Sequence, residues 1–404
     1  MPQFEKTYDI LVTGAGVAGV AAAVAAARSG LRTALVEKTV LIGGLATAGL
    51  IYAYTPLCDG LGRQVTYGIA QELLHLSMKY GPGDVPAGWR SAGSRKRTRR
   101  YGTTFSPAAF VLALDELLLA AGVETWLDTL VCLPVMDGDR VAGVEVENKS
   151  GRGILRGRAL VDATGDADVA YRAGAPCEEA DNWLSLWGLQ ASLERAREAV
   201  SQGSGDLLLC GVSVGASNTG EGHPTGMRKF SGTNGKDVTE FVLAGRVLLR
   251  QHYERRQRDG GANSRHNLFP LALPATAPFR TTRRIAGQTT LRDGMAGQSF
   301  ADSVGLVGDW SKRGEVWEIP YGSLLPRKVT GLLAAGRCIS STGHAWEVTR
   351  VIHAAAHTGE IAGVAAALAV QLDTTPDALD VGKLRQELRG KGLKLDLGDI
   401  ADSD

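Results

Sequence analysis

The first fifty residues alternate apolar runs with glycines in the order strand, turn, helix, strand. An apolar run over 8–13 predicts a strand, an alanine-rich run over 17–28 predicts a helix, and a short apolar run over 33–36 predicts a second strand. Runs of these lengths in this order are typical of a βαβ unit, in which a helix joins two parallel strands. We therefore expect an α/β fold that begins with such a unit.

The turn between the first strand and the helix carries three glycines at Gly-x-Gly-x-x-Gly spacing. The first permits a tight turn, the second lets a pyrophosphate approach the backbone, and the third lets the helix pack closely on the strand. The helix start offers free N–H groups to phosphate, and the acid after the second strand is placed to accept hydrogen bonds from a ribose. The candidate dinucleotide-binding residues are Gly14, Gly16, Val17, Ala18, Gly19, Glu37 and Lys38.

The remaining hydrophobic pattern predicts further elements and a division of the chain. Apolar periodicity and turn residues predict helices over 106–121, 237–257 and 381–389, and a hairpin of strands over 131–135 and 140–146. Between them, residues 176–324 show weaker periodicity and many loops. The predicted parts are a nucleotide-binding domain in two pieces (1–175 and 325–372), an inserted substrate domain (176–324) and a helical tail (373–404).

Composition narrows the class of protein. The chain has 404 residues, a formal net charge of +1 and five scattered cysteines without a Cys-x-x-Cys pair. Near-neutral charge argues against binding nucleic acid or a membrane surface, and the cysteines argue against a disulfide framework, a zinc site or a dithiol redox centre. We expect a cytoplasmic protein without a metal, and we leave its assembly into homo-oligomers open. A basic run between Arg90 and Arg100 is interpreted as a solvated loop, with an anion-attracting lip of the substrate entrance as the alternative.

A second set of glycines indicates which dinucleotide binds. The pair Gly43-Gly44 follows Glu37 closely and suits a loop that lies against a bulky flat cofactor. Two later strands end in turns, at Ala163-Thr164-Gly165 and at Gly336-Arg337. In this order the segments resemble the FAD-binding fold of two-dinucleotide-binding-domain flavoproteins rather than NAD dehydrogenases. With Val131 and Gly359, they complete the candidate cofactor-binding residues.

These segments are joined by the runs beginning Arg280-Thr-Thr-Arg-Arg and Ile319-Pro-Tyr-Gly, and by the run over 336–367. Together they resemble the FAD-dependent oxidoreductase family related to the flavoprotein subunits of fumarate reductase and succinate dehydrogenase. The resemblance implies a Rossmann-like FAD-binding domain with an inserted α+β substrate domain, and it implies FAD as the cofactor. It implies little about the substrate.

Candidate catalytic residues cluster after the last of these strands. Arg350 matches the arginine that ends this motif in the family, and its planar fork suits a carboxylate, an enolate or the flavin. An ion pair with Glu347 is the alternative role. His344 and His353 are candidates for moving a proton, although for any one histidine of this run a place in the core or on the surface is the more favoured interpretation. Metal binding by His353 and His357 is disfavoured, since no acidic residue of metalloprotease type lies between them.

Three further candidates come from the predicted substrate domain. Arg283 and Arg284 are neighbours on a predicted strand, where adjacent side chains face opposite ways, so one of them can face the site. Tyr321 follows Pro320 in a family marker and is interpreted either as a proton donor or as a hydrogen-bonded wall residue.

Together these features predict an FAD enzyme that transfers a hydride between a small organic substrate, anionic or carbonyl-bearing, and flavin N5. One alternative is a flavin monooxygenase that activates oxygen. Another is a non-enzymatic scaffold or partner subunit stabilised by FAD, which the cluster of arginines and histidines disfavours. Because no second Gly-x-Gly-x-x-Gly follows a later strand, a dedicated NAD(P)H domain is not expected, and the electron donor or acceptor stays unknown.

Overall fold

A computed structural model describes residues 2–85, 102–258 and 260–401. The basic run between Arg90 and Arg100 lies outside the described residues. The strands are β1 (Phe4–Thr13), β2 (Thr33–Val36), β3 (Ala53–Tyr54), β4 (Thr103–Thr104), β5 (Glu124–Trp126), β6 (Leu130–Asp137), β7 (Arg140–Asn148), β8 (Gly151–Asp162), β9 (Cys177–Glu179), β10 (Asp181–Asn182), β11 (Ser185–Ser192), β12 (Gly211–Gly215), β13 (Phe230–Ser231), β14 (Leu268–Ala272), β15 (Arg283–Ile285), β16 (Ser303–Gly308), β17 (Val316–Pro320) and β18 (Leu332–Ala334). The helices are α1 (Val17–Arg28), α2 (Ile69–Ser77), α3 (Pro107–Ala120), α4 (Asp168–Arg172), α5 (Leu193–Gln202), α6 (Gly235–Gln257), α7 (His344–Thr349), α8 (Ile352–Gln371), α9 (Val381–Gly390) and α10 (Gly398–Ala401).

The main sheet has β1 and β8 at its centre. β1 pairs in parallel with β2 and β8, β2 pairs with β5, and β8 pairs with β18, so the carboxyl ends of these strands meet at one edge. β7 and β6 continue the sheet in antiparallel fashion from the first half of β8. Ile10, Leu11 and Val12 are fully buried because helices and strands cover both faces, which explains the continuous apolar run of β1. The predicted Rossmann-like α/β fold is confirmed.

Helices α1 and α8 pack through backbone contact rather than through large side chains. A Cβ atom on Gly359 would lie 2.1 Å from the carbonyl oxygen of Ala18, and one on Gly363 would lie 2.2 Å from that of Ala22. Any larger residue would push the helices apart. The structure thus corrects the expectation that Gly359 contacts the cofactor, because its role is to let the two helices approach each other.

The segment between β9 and β15 forms cores of its own. β11 pairs in antiparallel fashion with β12 and β14, and α6 packs on this small sheet through Leu249. A second cluster joins Phe230, Phe241 and Phe279. Asn234 begins α6 by accepting hydrogen bonds from the backbone N–H groups of residues 236 and 237, at 2.9 and 3.2 Å.

The structure moves the predicted end of the inserted segment. Leu291, Val304 and Ile319 belong to the same hydrophobic cluster as α1 and α8. The chain has therefore returned to the main core well before residue 325, where the hydrophobic pattern placed the boundary. The pattern is ambiguous there because the hairpin of β16 and β17 is buried over its whole length and shows no period-two alternation. Among the described helices, none is long and apolar enough to cross a membrane.

The packing of α1 on α8 predicts a sharp difference between two glycines. We expect Gly363→Ala to lower the free energy of unfolding by about 1–3 kcal/mol, since the added methyl group overpacks the contact with Ala22. Gly390→Ala is the matched control, because its Cβ atom would meet nothing within 4 Å. Urea denaturation of the FAD-loaded variants measures both. Equal stability of the two variants would show that the helices are free to move apart.

Glu360 on α8 predicts a pH dependence of stability. Its carboxylate accepts a hydrogen bond from the Ile69 N–H at 2.7 Å, and burial raises the pKa of this carboxyl to about 7. The Ile69 N–H, Arg28 and Lys391 oppose the shift, and Glu72 adds to it. In the unfolded chain the carboxyl of Glu360 ionises near pH 4.5, whereas in the folded protein it stays protonated up to about pH 7. The stability of the fold therefore falls as the pH rises from about 4.5 to about 7.

Glu360→Gln removes this ionisation. Relative to the wild type, the variant should therefore gain stability progressively between about pH 4.5 and pH 7. Melting temperatures of both proteins across this range test the expectation. A difference that does not change with pH would contradict it.

Candidate functional site

A cleft lies at the carboxyl ends of β1, β2, β8 and β18, between the main sheet and the inserted segment. Most of the residues predicted to bind a dinucleotide line it together with the predicted catalytic residue Arg350: Gly14, Gly16, Val17, Ala18, Glu37, Lys38, Gly43, Gly44, Thr164, Gly165, Gly336 and Arg337. A smaller recess shares Gly14, Glu37, Lys38 and Thr164, and it adds Val131. Residues separated by more than 300 positions in the sequence thus form one site.

The glycine-rich turn has the geometry that a phosphate site needs. Gly14 has a φ of +88°, and a Cβ atom there would lie 2.6 Å from the Ala163 carbonyl oxygen. A Cβ atom on Gly16 would meet nothing within 4 Å, so this backbone faces open space. No side chain caps the start of α1, and its first N–H groups point into the cleft with the positive end of the helix dipole. Gly19 does not line the cleft and instead packs against the Gly14 carbonyl oxygen.

Glu37 lies at the edge of the cleft and is held in place by the backbone. Its carboxylate accepts hydrogen bonds from the Ala15 N–H at 2.9 Å and from both the N–H and the hydroxyl of Thr39 at 3.0 Å. These contacts leave lone pairs on both carboxylate oxygens for further donors. The side chain is therefore fixed in direction before any ligand is bound.

The far wall of the cleft joins the two later strand ends. Gly336 has a φ of +75°, and its N–H donates to the Thr358 hydroxyl at 3.0 Å. Arg337 donates through Nε to the Gly165 carbonyl at 2.8 Å and through Nη2 to Asp166 at 2.5 Å. The arginine thus connects the turn after β8 to the turn after β18.

Arg350 follows α7 and lines the same cleft. Its Nη2 donates to the Glu347 carboxylate, whereas its Nε is buried and has no hydrogen-bond partner among the described residues. Nearby, Arg280 donates to the carbonyls of Ala216 and Ser217 at 3.1 and 3.2 Å. Burial and the charge of Arg350 together lower the pKa of Arg280 to about 10, and Glu347 opposes the shift. The guanidinium groups of Arg280 and Arg350 thus both lie near the carboxylate of Glu347.

The family described as FAD dependent oxidoreductase matches residues 9–201 and 216–388, which is most of the sequence. The chain belongs to this family. FAD is the cofactor of the oxidoreductase, as the sequence predicted. The match is to the broad family and does not distinguish a relation to fumarate reductase and succinate dehydrogenase.

Individual relatives match shorter stretches. The oxidoreductase is 27% identical over 161 residues to digeranylgeranylglycerophospholipid reductase of Picrophilus torridus, covering 40% of each chain. It is 35% identical over 74 residues to thioredoxin reductase of Ureaplasma parvum, covering 18% of this chain and 24% of that one. The chain thus spans less than half the length of these curated relatives. A geranylgeranyl bacteriochlorophyll reductase-like structure from Thermoplasma acidophilum is similar with a TM-score of 0.49 at 14% identity, covering 96% of this chain and 83% of that chain.

The residues of the cleft fit FAD. The open backbone at Gly16 and the uncapped start of α1 suit a pyrophosphate, and the oriented Glu37 carboxylate suits ribose hydroxyls. The recess beside Val131 continues the cleft beyond Glu37, on the side where an adenine would follow the ribose. At the other end, the buried Arg350 Nε is a donor without an acceptor among the residues that the structure describes.

The structure corrects the role expected for Arg283 and Arg284. Both are buried in β15, and neither lines the cleft. Arg283 pairs with Asp168 at 2.7 Å, and Arg284 pairs with Glu178. The two side chains point to opposite sides of the strand, as expected, but neither points into the cleft. Arg283 lies 3.9 Å from the ring centroid of Tyr171 on one side, and Trp346 covers Arg284 on the other.

Three other candidate catalytic residues lie away from the cleft. His344 lines a separate cavity, where its Nε2 is 2.6 Å from Asp309. His353 is fully buried on the inner face of α8, where its Nδ1 is 2.7 Å from the Thr55 hydroxyl; burial and the neighbouring His357 lower its pKa to about 3. The Tyr321 hydroxyl is also buried and donates to the Pro376 carbonyl at 2.8 Å. Of the predicted catalytic residues, the described cleft brings only Arg350 to the cofactor site.

Sequence reasoning did not single out Arg280, which does not itself line the cleft but lies close enough to Arg350 for that charge to lower its pKa. It begins the same Arg280-Thr-Thr-Arg-Arg run that contains Arg283 and Arg284, and it directly follows Phe279, which lines the cleft. The sequence therefore drew attention to this run, but it does not show which of the three arginines form ion pairs with acidic residues. Glu347 was considered only as an alternative partner of Arg350, and it is that partner.

We expect Glu37→Gln to raise the dissociation constant of FAD at least tenfold. The loss of one charge-assisted hydrogen bond is worth about 1.5–3 kcal/mol. Fluorescence titration of the deflavinated protein with FAD measures the constant. Glu124→Gln serves as the control, since Glu124 is an acid of the adjacent strand β5 that pairs with Lys6 on the surface. Equal affinities in the two variants would remove Glu37 from the cofactor site.

Proposed function

We propose that the oxidoreductase transfers a hydride between a small anionic organic substrate and FAD. When bound, FAD supplies the two-electron redox chemistry at flavin N5. The observation that carries the proposal is the buried Nε of Arg350, which lines the cleft and has no partner among the described residues. A buried donor without an acceptor costs about 1–3 kcal/mol, so an oxygen atom of a bound group is the natural partner.

The charges around Arg350 support an anionic substrate. Glu347 neutralises one guanidinium group, and Arg280 adds a second positive charge that no other carboxylate contacts in the described hydrogen-bond pattern. In this proposal Glu347 orients Arg350, Arg350 binds a carboxylate or enolate oxygen, and Arg280 favours negative charge nearby. The start of α8 adds the positive end of a helix dipole, since Ile352 and Ala355 also line the cleft.

The narrower resemblance to the flavoprotein subunits of fumarate reductase and succinate dehydrogenase belongs to this proposal. A pair of arginines beside the cleft is consistent with a substrate that carries carboxylates. A histidine is not part of the proposal, because none lines the cleft over the described residues.

Anaerobic mixing of the FAD-loaded protein with small organic acids tests the proposal. We expect at least one carboxylate to bleach the flavin absorbance, or to reoxidise flavin that has been reduced chemically. The corresponding amides are the matched controls, because they keep the shape and lose the charge. Turnover that requires NAD(P)H together with oxygen, and no reaction with any acid, would instead establish the monooxygenase alternative.

Arg350→Lys tests the role of the arginine fork. The substitution keeps the charge but loses the planar set of donors, so we expect turnover to fall about tenfold or more while FAD occupancy and its spectrum stay unchanged. Arg389→Lys is the control, since Arg389 forms half-exposed ion pairs with Asp396 and Asp399. A loss of FAD with unchanged turnover per flavin would assign Arg350 to the cofactor rather than to the substrate.

A further inference from the structure

A second cavity of about 560 Å³ lies at the other end of α7 from Arg350. The loop after β15, the loop between β16 and β17, and the first residue of α7 form its walls. None of the residues that line the FAD cleft takes part in it. The cavity is therefore a separate site, and the proposed reaction does not use it.

Three side chains converge at this cavity: Glu315 and His344 line it, and Asp309 is buried beside them. Asp309, Glu315 and His344 each offer a ligand atom, and these atoms lie within 4.8 Å of one another. Asp309 and Glu315 flank the hairpin loop, which closes with a hydrogen bond from the Asp309 N–H to the Glu315 carbonyl at 2.9 Å. His344 approaches from α7, and its Nε2 lies 2.6 Å from Asp309 Oδ2. Two different parts of the fold thus supply the three groups.

The two inner groups are oriented by surrounding hydrogen bonds. Asp309 is fully buried, and its Oδ1 accepts from the Ser311 N–H at 2.8 Å, the Ser311 hydroxyl at 2.9 Å and the Lys312 N–H at 2.7 Å. These bonds occupy Oδ1, while Oδ2 faces His344 and also accepts a hydrogen bond from the Trp317 indole N–H at 3.3 Å. The backbone N–H of His344 donates to Asp293 at 2.6 Å, which fixes the start of α7. Hydrogen bonds that hold a ligand in direction are typical of metal sites.

We propose that Asp309, Glu315 and His344 bind a divalent first-row transition metal ion. One imidazole nitrogen and two carboxylate oxygens are a ligand set that suits Zn²⁺, Mn²⁺ or Fe²⁺, with water completing the coordination. With a neutral imidazole the three groups carry two negative charges. Lys312 lies 3.6 Å from Glu315 and offsets one of them, while Arg63, which also lines the cavity, is paired with Asp59 at 2.9 Å. The remaining charge attracts a cation.

The position of the site gives the metal a structural role. His344 begins α7, and Arg350 directly follows the last residue of this helix. Six residues at about 1.5 Å each place the two about 9 Å apart along the chain. Trp310 adds a second connection, because its indole N–H donates to the Glu347 carbonyl at 2.9 Å. The bound ion would therefore hold the short helix that carries Glu347 and Arg350.

Direct metal binding to the FAD-loaded protein tests the proposal. After treatment with a chelator and gel filtration, the protein is dialysed against Zn²⁺ or Mn²⁺ alone, and bound metal is measured by mass spectrometry. We expect one equivalent per chain. His344→Ala and Glu315→Gln should each weaken binding at least tenfold, whereas Lys312→Met should strengthen it by removing the opposing charge. His266→Ala is the control, because His266 is exposed and lies outside the cavity.

The flavin absorbance and circular dichroism of each variant establish that it is folded. In addition, Zn²⁺ should raise the melting temperature of the wild type and of Lys312→Met, but not that of His344→Ala. The proposal is overturned if the wild type retains no metal at millimolar concentration. It is equally overturned if the His344, Glu315 and His266 variants bind the same amount, since His344 and Asp309 then form only a hydrogen-bonded pair.

Discussion

The backbone contact between α1 and α8 determines where the functional groups of this oxidoreductase lie. Gly359 meets Ala18 and Gly363 meets Ala22, so the two helices run in the same direction. Their N-termini therefore face the same edge of the sheet. Gly359 is the eighth residue of α8, whereas Ala18 is the second residue of α1. The start of α8 therefore extends six residues, or about 9 Å at about 1.5 Å per residue, beyond the start of α1. One contact thus places one helix start at the phosphate-binding turn and another near Arg350.

A second constraint is the neutralisation of buried arginines. Burying a guanidinium group is unfavourable unless it is paired and hydrogen-bonded. Asp168 and Glu178 meet this need for Arg283 and Arg284, and Asp166 meets it for Arg337. These pairs hold the inserted segment against the turn after β8. Arg350 differs because Glu347 binds only one of its nitrogen atoms. Arg350 can therefore bind a further group, whereas Arg283, Arg284 and Arg337 maintain the structure.

Sequence patterns singled out the glycines that line the cleft, but they did not separate the charged side chains of the cleft from those that pair elsewhere. Glycine spacing is a local backbone requirement, so Gly14, Gly16 and Gly336 could be recognised from their neighbours in the chain. The fate of an arginine or a histidine depends on partners that are distant in sequence. Nothing local distinguishes Arg283 from Arg280, because Asp168 and Glu179 are brought to Arg283 only by the fold. The predicted end of the inserted segment differs from the structure for a related reason. The hairpin of β16 and β17 is fully buried, so its sequence has no alternation of apolar and polar residues by which to recognise it.

The histidines of the 344–357 run show why a dense cluster in sequence need not be one in space. Burial lowers the pKa of His353 to about 3 and that of His357 to about 4, so both are neutral at physiological pH. Both lie on α8, and helical spacing points residues four apart to the same buried face. His344 precedes the break between α7 and α8 and turns to the opposite side, toward Asp309. The break therefore separates a polar cavity at the start of α7 from the FAD cleft, which Arg350 lines directly after the end of α7.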